Sequence, residues 1–391
     1  MRAGIPSTAA GETARLRVAT LNVWGLWGPL SQHLLPRMQA IAKQAEELSL
    51  DVFAIQESWT DEGRALLLAG LREIGLKHAW HNPEAAGGSG LMLISRHPLG
   101  EARFQRFRLS GLPERIDHGD YFSGKGAVVI TIDTPAGPVD FLDTHLVAHY
   151  TPETIDTYFG HRVGQVIEIA ELLSPSDRPV VALGDFNVRE SGPEYPILKG
   201  LSGLVDSAVE LDRRFDTILA PHPYREIDHR SRIDYVWTRD GLGTAARVQQ
   251  LERAFDAPLS FDGVDAAYSD HAGLVAEIVF SPAPSARAWP GADEPALALA
   301  REALEQGRTL AKTRRGTLRA GAAAGLAGVA VCAAGSRLTR REWLRRSLWL
   351  GAGLSAVGGS AALGLAEVFG NDELAALNEL EAVLGSLRRP G

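Results

Sequence analysis

The feature that most constrains the fold is a series of short apolar runs, bounded by Gly, Pro or Asp, between residues 17 and 280. These runs are RVATLNVW, DVFAIQE, GLMLISR, GAVVITIDT, PVDFLDTHL, PVVALGDFN, RIDYVWT and GLVAEIVF. Their length and their content of Val, Ile, Leu and Phe predict β-strands, several of them buried on both faces. Apolar residues at helical spacing lie between some runs, at 36–48, 61–74 and 152–173. Strand–helix–strand units therefore alternate with strands in direct succession, which predicts an α/β fold with mixed rather than purely parallel sheets.

The segment SPAPSARAWPGADEPA, at 281–296, interrupts this pattern and indicates a linker. We expect a flexible N-terminus at 1–15, one large domain at 16–281, a linker at 282–300 and a helical tail at 301–391. The start of the chain has no apolar core of signal-peptide length, so export is not expected. The single cysteine, Cys332, excludes an intrachain disulfide and a thiolate metal cluster, and it fits a reducing compartment.

Two apolar stretches in the tail, at 320–336 and 347–366, predict a hydrophobic helical hairpin associated with a membrane. The second has about the 20 residues that a hydrocarbon core requires, and the first is near the lower limit. Small residues four apart, such as Gly351 and Ser355, allow close helix–helix contact. The intervening arginines, with Trp343 and Trp349, are placed as interface anchors. The alternative is an Ala-rich soluble hairpin that packs on the large domain.

The charge of the chain is divided unevenly. From residue 286 onward there are 14 of the 40 basic and 10 of the 48 acidic residues, so the tail carries about +4 and the rest of the chain about −12. Proteins that hold nucleic acid by its phosphates usually present a basic face. The acidic large domain therefore argues against nucleic acid as a partner.

Acidic, Asn and His residues end several of the predicted strands or immediately flank them. They are Asn22, Glu57, His145, Asp185, Asn187, Asp234, Asp270 and His271. Strand ends bring distant parts of a chain into one cleft. Oxygen ligands without thiolates favour Mg²⁺, and a histidine paired with an aspartate accepts a proton near neutral pH. Together these residues predict hydrolysis of a phosphate ester.

Each of these residues also has an ordinary structural interpretation. A lone glutamate after a strand, such as Glu57, is usually a solvated carboxylate or a helix cap. Asp234 could pair with Arg232, His145 could be a hydrogen-bonded interior histidine, and GDFN alone could be a turn. The joint occurrence of all of them, in this order, favours the functional interpretation.

Six short motifs in order resemble the endonuclease/exonuclease/phosphatase superfamily. They are LNVWG (21–25), IQE (55–57), THL (144–146), GDFN (184–187), RIDYV (232–236) and SDH (269–271). This resemblance implies a DNase I-like four-layer sandwich, in which two mixed β-sheets are flanked by helices. A narrower resemblance, to the membrane-bound neutral sphingomyelinases, rests on NVWG (22–25), HGDYFSGKG (118–126), HRVGQ (161–165) and the tail.

The resemblance implies the ligands of the metal. Glu57 would be the principal Mg²⁺ ligand, with Asn22 beside it and Asp270 near the ion. Mn²⁺ is expected to substitute for Mg²⁺. The substrate would be sphingomyelin, or a related phosphosphingolipid or lysophospholipid, and sphingomyelin would be split into ceramide and phosphocholine. The catalytic domain is expected on the cytoplasmic side of the membrane.

The resemblance also implies the catalytic and substrate-binding residues. His271 would be the general base, oriented by Asp234. Asp185 and Asn187 would position the attacking water and the phosphate oxygens, and His145 would donate to a phosphate oxygen. Lys125 would reach the phosphate once it is paired with Asp120 or released by it, and Asn22 would also help to orient the phosphate.

Three alternatives remain open at this point. A nuclease of the same fold predicts a basic groove, whereas the large domain is acidic. A phosphoinositide phosphatase predicts clustered cations near the motifs, and the sequence contains none there. An inactive membrane scaffold is disfavoured because every expected polar position is filled. The sequence does not indicate an oligomeric state.

Overall fold

The structure, a computed structural model, describes residues 13–82, 89–151, 153–226 and 229–388. Its strands are β1 (Ala14–Asn22), β2 (Val52–Gln56), β3 (His78–His81), β4 (Met92–Ser95), β5 (Leu99–Arg106), β6 (Gly126–Thr134), β7 (Gly137–His145), β8 (Val180–Asp185), β9 (Val205–Asp206), β10 (Asp234–Arg239), β11 (Thr244–Ala254), β12 (Leu259–Phe261), β13 (Val264–Ala266) and β14 (Gly273–Pro282). Its α-helices are α1 (Leu34–Glu47), α2 (Asp61–Glu73), α3 (Phe159–Leu173), α4 (Glu194–Ser202), α5 (Ser207–Glu210), α6 (Glu294–Leu338), α7 (Glu342–Gly364) and α8 (Gly370–Ser386). Most of the expected flexible N-terminus lies outside the described residues.

The large domain is built on two six-stranded mixed sheets. The first has the order β11-β14-β1-β2-β4-β3 and the second the order β5-β6-β7-β8-β10-β9. β1 and β2 are parallel, as are β7 and β8, and the other pairs within both sheets are antiparallel. A small hairpin of β12 and β13 stands apart from both.

Three apolar cores separate the layers of the sandwich. Side chains such as Val18 and Phe141 fill the space between the two sheets. Helices α1 and α2 cover the outer face of the first sheet, and α3 and α4 cover the outer face of the second. The expected four-layer sandwich is therefore confirmed.

All eight predicted strands are present, and the described residues form six more. β3, β5 and β9 lie at or near sheet edges, β11 is an edge strand, and β12 and β13 form the isolated hairpin. Edge strands leave one backbone edge unpaired and commonly carry charged side chains, and β5 (LGEARFQR) and β11 (TAARVQQLERA) accordingly lack an apolar run. The helix expected over 152–173 begins only at Phe159, and Pro152 lies outside the described residues.

The tail begins earlier than the composition indicates. Helix α6 starts at Glu294, inside the expected linker, where the Asp293 side chain accepts a hydrogen bond from the Ala296 amide. Pro295 occupies the first turn, a position where its missing N–H costs nothing. The proline and aspartate that resembled a linker are thus the start signals of a helix. That helix then continues without a break for 45 residues.

The two halves of α6 have different surroundings. Its first half and α8 pack against α3 and α4 and extend the core of the second sheet. Gly160 and Gly307 allow this approach, since a Cβ on Gly160 would lie 2.8 Å from the Gly307 Cα. Beyond residue 315, α6 and α7 form what we call the apolar hairpin (316–364).

The apolar hairpin is mostly exposed. Helices α6 and α7–α8 each contain an apolar window, only 6% buried, that is long enough to cross a membrane. The two helices meet through small residues, with Gly325 close to Gly359 and Gly328 close to Ser355. The structure therefore presents the expected hydrophobic hairpin, which suggests association with a membrane.

Candidate active site

The polar residues singled out in the sequence converge at one end of the sandwich, which we call the catalytic end. Asn22 is the last residue of β1, and Glu57 directly follows β2. His145 and Asp185 end β7 and β8, which are parallel neighbours and pair at these positions. Asp234 begins the antiparallel β10 directly opposite Asp185. The register of the sheets thus brings residues more than 200 positions apart to one place.

Asn22 links the two sheets. Its side-chain amide donates to Glu57 Oε1 at 2.9 Å and to Asp185 Oδ2 at 3.1 Å. Its own Oδ1 accepts from the Trp24 amide at 3.0 Å. The neutral side chain therefore holds two carboxylates close together without adding charge.

His271 and Asp234 form a buried pair, with 2.9 Å between His271 Nδ1 and Asp234 Oδ2. The other ring nitrogen, Nε2, lies 3.9 Å from Asp185 Oδ2. Burial lowers the pKa of His271, but Asp234 and Asp185 outweigh it and raise the pKa to about 10. Asp234 therefore orients the ring, and a cation bound among the neighbouring carboxylates would oppose this rise in the pKa and free Nε2 to accept a proton as a general base.

Lys125 is buried rather than a surface charge. Its Nζ lies 2.8 Å from Asp120 Oδ1 and 2.9 Å from His145 Nε2, and it donates to the Leu146 carbonyl at 2.7 Å. The Asp120 carboxylate also accepts from the Tyr150 hydroxyl at 2.8 Å. Burial and the adjacent Lys125 hold the pKa of His145 well below its usual value, so that imidazole is neutral. The pairing that the resemblance implies for Asp120 and Lys125 is present.

Asp270 lies close enough to Glu57 for its charge to act on the Glu57 carboxylate. Its carboxylate accepts from Arg225, and Ser269 donates to the Asn22 carbonyl at 2.6 Å, which fixes this segment against β1. Burial opposes ionisation of Asp270, but His271 and Arg225 lower its pKa below the ordinary value. The nearby Asp270 charge, acting with burial, raises the pKa of Glu57.

Several site residues occupy unusual backbone conformations. Glu57 has φ 58°, Asn187 has φ 47° and Trp24 has φ 46°. Left-handed conformations are uncommon outside glycine and are concentrated at functional sites. The Asn187 side chain donates to the Leu146 carbonyl at 3.0 Å, which fastens the turn after β8 to the end of β7.

Gly184, directly before Asp185, has φ 141°, and a Cβ there would meet the carbonyl oxygen of Thr144. We expect Gly184→Ala to lower the free energy of unfolding by about 3 kcal/mol, since it combines backbone strain with a clash against a neighbouring strand. Gly137→Ala is the matched control: φ is 94° and no atom lies within 4 Å, so only strain of about 1 kcal/mol applies. Urea unfolding of both variants gives the comparison. Equal losses would show that the contact with β7 is not tight.

The charges of the site suit a bound cation. Burial and the neighbouring Asp234 raise the pKa of Asp185 to about 7, and the pKa of Glu57 is raised as well. Several carboxylates that face one another in a buried site are stabilised when a metal ion supplies positive charge. Glu57 and Asp270, with Asn22 beside them, offer the oxygen donors that Mg²⁺ prefers.

A second set of possible ligands adjoins this one, on the other side of the Asn22 side chain. Asp185, Asp234 and His271 each offer a ligand atom, and those atoms lie within 4.8 Å of one another. The described residues thus contain a buried acidic and histidine group that is suited to a metal ion, whichever of its members bind it.

Other residues that support the site were not singled out from the sequence. Arg37, fully buried on α1, donates to the carbonyls of Val23, Trp24 and Tyr268 and so clamps the loop after β1. Gln56 donates to Asp143 Oδ1 at 2.6 Å behind the site. Arg225 lies in a loop rich in Pro and His. A single arginine or glutamine carries no periodic signal, so the sequence did not reveal these contacts.

The model of the Endonuclease/Exonuclease/phosphatase family matches residues 19–271. The match covers more than half of the chain, and the chain belongs to this family. The six motifs and the four-layer sandwich agree with this assignment.

Individual relatives in sequence have more specific names than the family. Sphingomyelin phosphodiesterase 2 of Homo sapiens is 31% identical over 199 residues, which cover 50% of this chain and 46% of the relative. Inositol phosphosphingolipids phospholipase C of Schizosaccharomyces pombe is 30% identical over 205 residues, with coverage of 50% and 46%. The chain thus spans about half the length of these curated relatives.

Solved structures show the same fold at low identity. Sphingomyelinase C from Streptomyces griseocarneus has a TM-score of 0.51 at 21% identity and covers 68% of this chain and 99% of its own. D. rerio TDP2 complexed with a single-strand DNA product has a TM-score of 0.54 at 14% identity, with coverage of 68% and 99%. The fold alone therefore does not distinguish a lipid substrate from a nucleic acid.

Proposed function

We propose that the chain is a Mg²⁺-dependent phosphodiesterase that hydrolyses sphingomyelin, or a related phosphosphingolipid or lysophospholipid, to ceramide and phosphocholine or their counterparts. The observation that carries the proposal is the convergence of Asn22, Glu57, Asp185, Asp234 and His271 at one end of the sandwich. The lipid substrate is supported by the names of the curated relatives.

The metal would be held by Glu57 and Asp270, with Asn22 beside them, and Mn²⁺ is expected to substitute. A bound divalent cation supplies positive charge for the phosphate and promotes ionisation of water. The residues present fit this assignment, because burial and the charge of Asp270 together raise the pKa of Glu57, and a cation would relieve this repulsion.

The remaining residues handle the substrate and the proton. His271 Nε2 points towards Asp185, and Asp234 holds the ring through Nδ1. Positive charge on a bound cation would lower the raised pKa of His271, so that its neutral ring could take the proton of a water held beside Asp185. Asp185 and Asn187 position this water and the phosphate oxygens. Neutral His145 donates a hydrogen bond to a phosphate oxygen. Lys125 adds a positive charge at the phosphate once its ion pair with Asp120 opens.

A substrate panel tests this function. Purified full-length chain is given sphingomyelin, an inositol phosphosphingolipid and lysophosphatidylcholine in detergent micelles, and supercoiled plasmid DNA in a parallel reaction. We expect phosphate-bearing headgroups to be released from lipid and the plasmid to remain intact. Nicking of the plasmid without headgroup release would contradict the lipid assignment.

The effect of removing the metal ion tests the metal dependence of the proposed reaction. EDTA is expected to reduce headgroup release by about 100-fold or more, because charge stabilisation and water activation are both lost. Excess Mg²⁺ or Mn²⁺ should restore the rate. An EDTA-resistant rate would exclude the metal-dependent mechanism.

We also propose that the apolar hairpin attaches the protein to a membrane with the catalytic domain on the cytoplasmic side. The two apolar helices and the single free cysteine support this arrangement. Protease added to sealed inside-out vesicles should digest the catalytic domain, whereas right-side-out vesicles should protect it. The reverse pattern would place that domain on the other side.

A further inference from the structure

The direction of α6 relates the apolar hairpin to the catalytic end. The Asp293 amide, just before α6, donates to the carbonyl of Gly200 near the end of α4. The last residue of α4, Ser202, accepts from Arg239, the final residue of β10. Because β10 starts at the catalytic end with Asp234, Arg239 lies at the opposite end. Helix α6 therefore begins far from the active site.

From there α6 runs towards the catalytic end. Gly307 contacts Gly160 near the start of α3, and α3 follows the loop that leaves β7 at His145. Two turns further on, Arg314 forms ion pairs with Glu114, in the loop before β6, and with Glu373. The helix thus passes the edge of the active site before it leaves the domain.

The apolar hairpin consequently projects beyond the catalytic end. Its α6 arm, from Gly316 to Leu338, is about 34 Å long at 1.5 Å per residue, close to the ~30 Å of a hydrocarbon core. At its base, Arg315 and Arg319 pair with Glu367. The base of the hairpin also contacts the loop before β6, which carries Asp120 and Lys125, since the rings of Tyr121 and Phe369 lie 5.8 Å apart. Because α6 is continuous and these contacts fix the base of the hairpin, the domain has little freedom to rotate relative to the hairpin.

Exposed apolar side chains of the domain are concentrated at the same end. Among the described residues before the tail, nine large apolar side chains are exposed. Seven lie in the loops after β1, before β6 and after β7 and in the β12–β13 hairpin, all of which adjoin the catalytic end; Trp27, Ile116, Ile155 and Val264 represent these four places. Only Val205 and Leu242 are at the opposite end. Exposed apolar groups gathered on one face mark an interaction surface.

We propose that the catalytic end and the apolar hairpin form one lipid-facing surface, so that the mouth of the active site rests on the leaflet that the hairpin enters. This inference rests on the proposed membrane attachment, but not on the identity of the headgroup. Its consequence is that the protein takes substrate laterally from its own membrane. A bilayer fits this surface because the hairpin matches its thickness and the loops match its interface.

The placement is tested with fluorescent labels on the full-length chain. In a Cys332→Ala background, Ile116→Cys and Val264→Cys are compared with the matched far-end variants Val205→Cys and Leu242→Cys. Each carries a polarity-sensitive dye in phosphatidylcholine vesicles that contain no sphingolipid. We expect a blue shift and quenching by nitroxide lipids at Ile116 and Val264 only. Equal signals at both ends, or none at the catalytic end, would overturn the proposal.

Hydrolysis assays on two substrates test the lipid-facing surface independently of the labels. Ile116→Glu is expected to reduce hydrolysis of vesicle-embedded sphingomyelin roughly tenfold, because a charge opposes contact with the interface. Hydrolysis of a water-soluble phosphocholine ester should be unchanged, and Leu242→Glu should affect neither substrate. Equal loss on both substrates would contradict a role in lipid contact. Since the labels are read without substrate, a chain that hydrolyses no lipid would refute the proposed function and leave the placement to be decided by the labels.

Discussion

Replacing His271 with Ala is expected to lower the rate of headgroup release about 10³-fold, within the range for loss of a general base. His271 faces Asp185 with one ring nitrogen and is held by an aspartate at the other, with Asp234 Oδ2 2.9 Å from its Nδ1. The loss should appear in kcat rather than in KM, because the imidazole acts on the attacking water. Steady-state assays on sphingomyelin micelles measure both constants.

The same substitution leaves Asp234 without its partner, and a buried unpaired carboxylate is destabilising. The melting curve of the His271→Ala variant is therefore measured first. The activity assay is then run at a temperature at which this variant is still folded. Asp234→Asn keeps a hydrogen-bonding group beside the ring and should retain more activity than His271→Ala. A folded His271→Ala protein with nearly full kcat would remove His271 from the mechanism.

Replacing Glu57 with Gln is expected to lower activity at least about 100-fold and to raise the Mg²⁺ concentration needed for half-maximal rate, because a neutral amide is a much weaker metal ligand than a carboxylate. The shape of the side chain and the contact with Asn22 are largely kept. Activity measured across a Mg²⁺ titration separates loss of metal affinity from loss of catalysis.

Asp143→Asn is the matched control for Glu57→Gln. Asp143 is fully buried behind the site, and burial raises its pKa well above the ordinary value, which favours the neutral form of the carboxyl group. An amide is close to that neutral form in charge and shape. Activity and Mg²⁺ dependence should stay near those of the parent. If both variants lost activity equally, Glu57 would have no special role as a metal ligand.

The layers of the fold could be predicted because the strands that build the core are apolar on both faces. β2 and β8 are entirely buried, and both appear in the sequence as uninterrupted apolar runs. Edge strands such as β5 and β11 contact the core on one side only, so their sequences carry arginine and glutamate at exposed positions. Only the pairing of backbones in the sheet reveals them.

The site could be predicted where residues end buried strands, since parallel neighbours place their ends together. This holds for Asn22, His145 and Asp185. The surroundings of Lys125 could not be predicted, because it lies at the end of a loop whose path depends on contacts far along the chain. Arg225 is similar: its loop shows no pattern that connects it with Asp270.

The tail shows how one local signal supports two interpretations. Proline and aspartate near residue 293 fit a linker, and they fit the start of a helix equally well. The deciding factor is tertiary: the first turns of α6 bury Leu297 and Leu304 against the helices of the second sheet. Because of that burial the apolar hairpin is a continuation of the domain rather than an appendage on a flexible tether.

We propose that the polar clusters at the catalytic end hold one divalent cation. Crystals of the full-length chain grown with Mn²⁺ would be measured near the manganese absorption edge. We expect an anomalous peak among the carboxylate oxygens of Glu57 and Asp270, with His271 still bonded to Asp234. The absence of a peak at the catalytic end, or a peak that draws His271 away from Asp234 as a ligand, would contradict it.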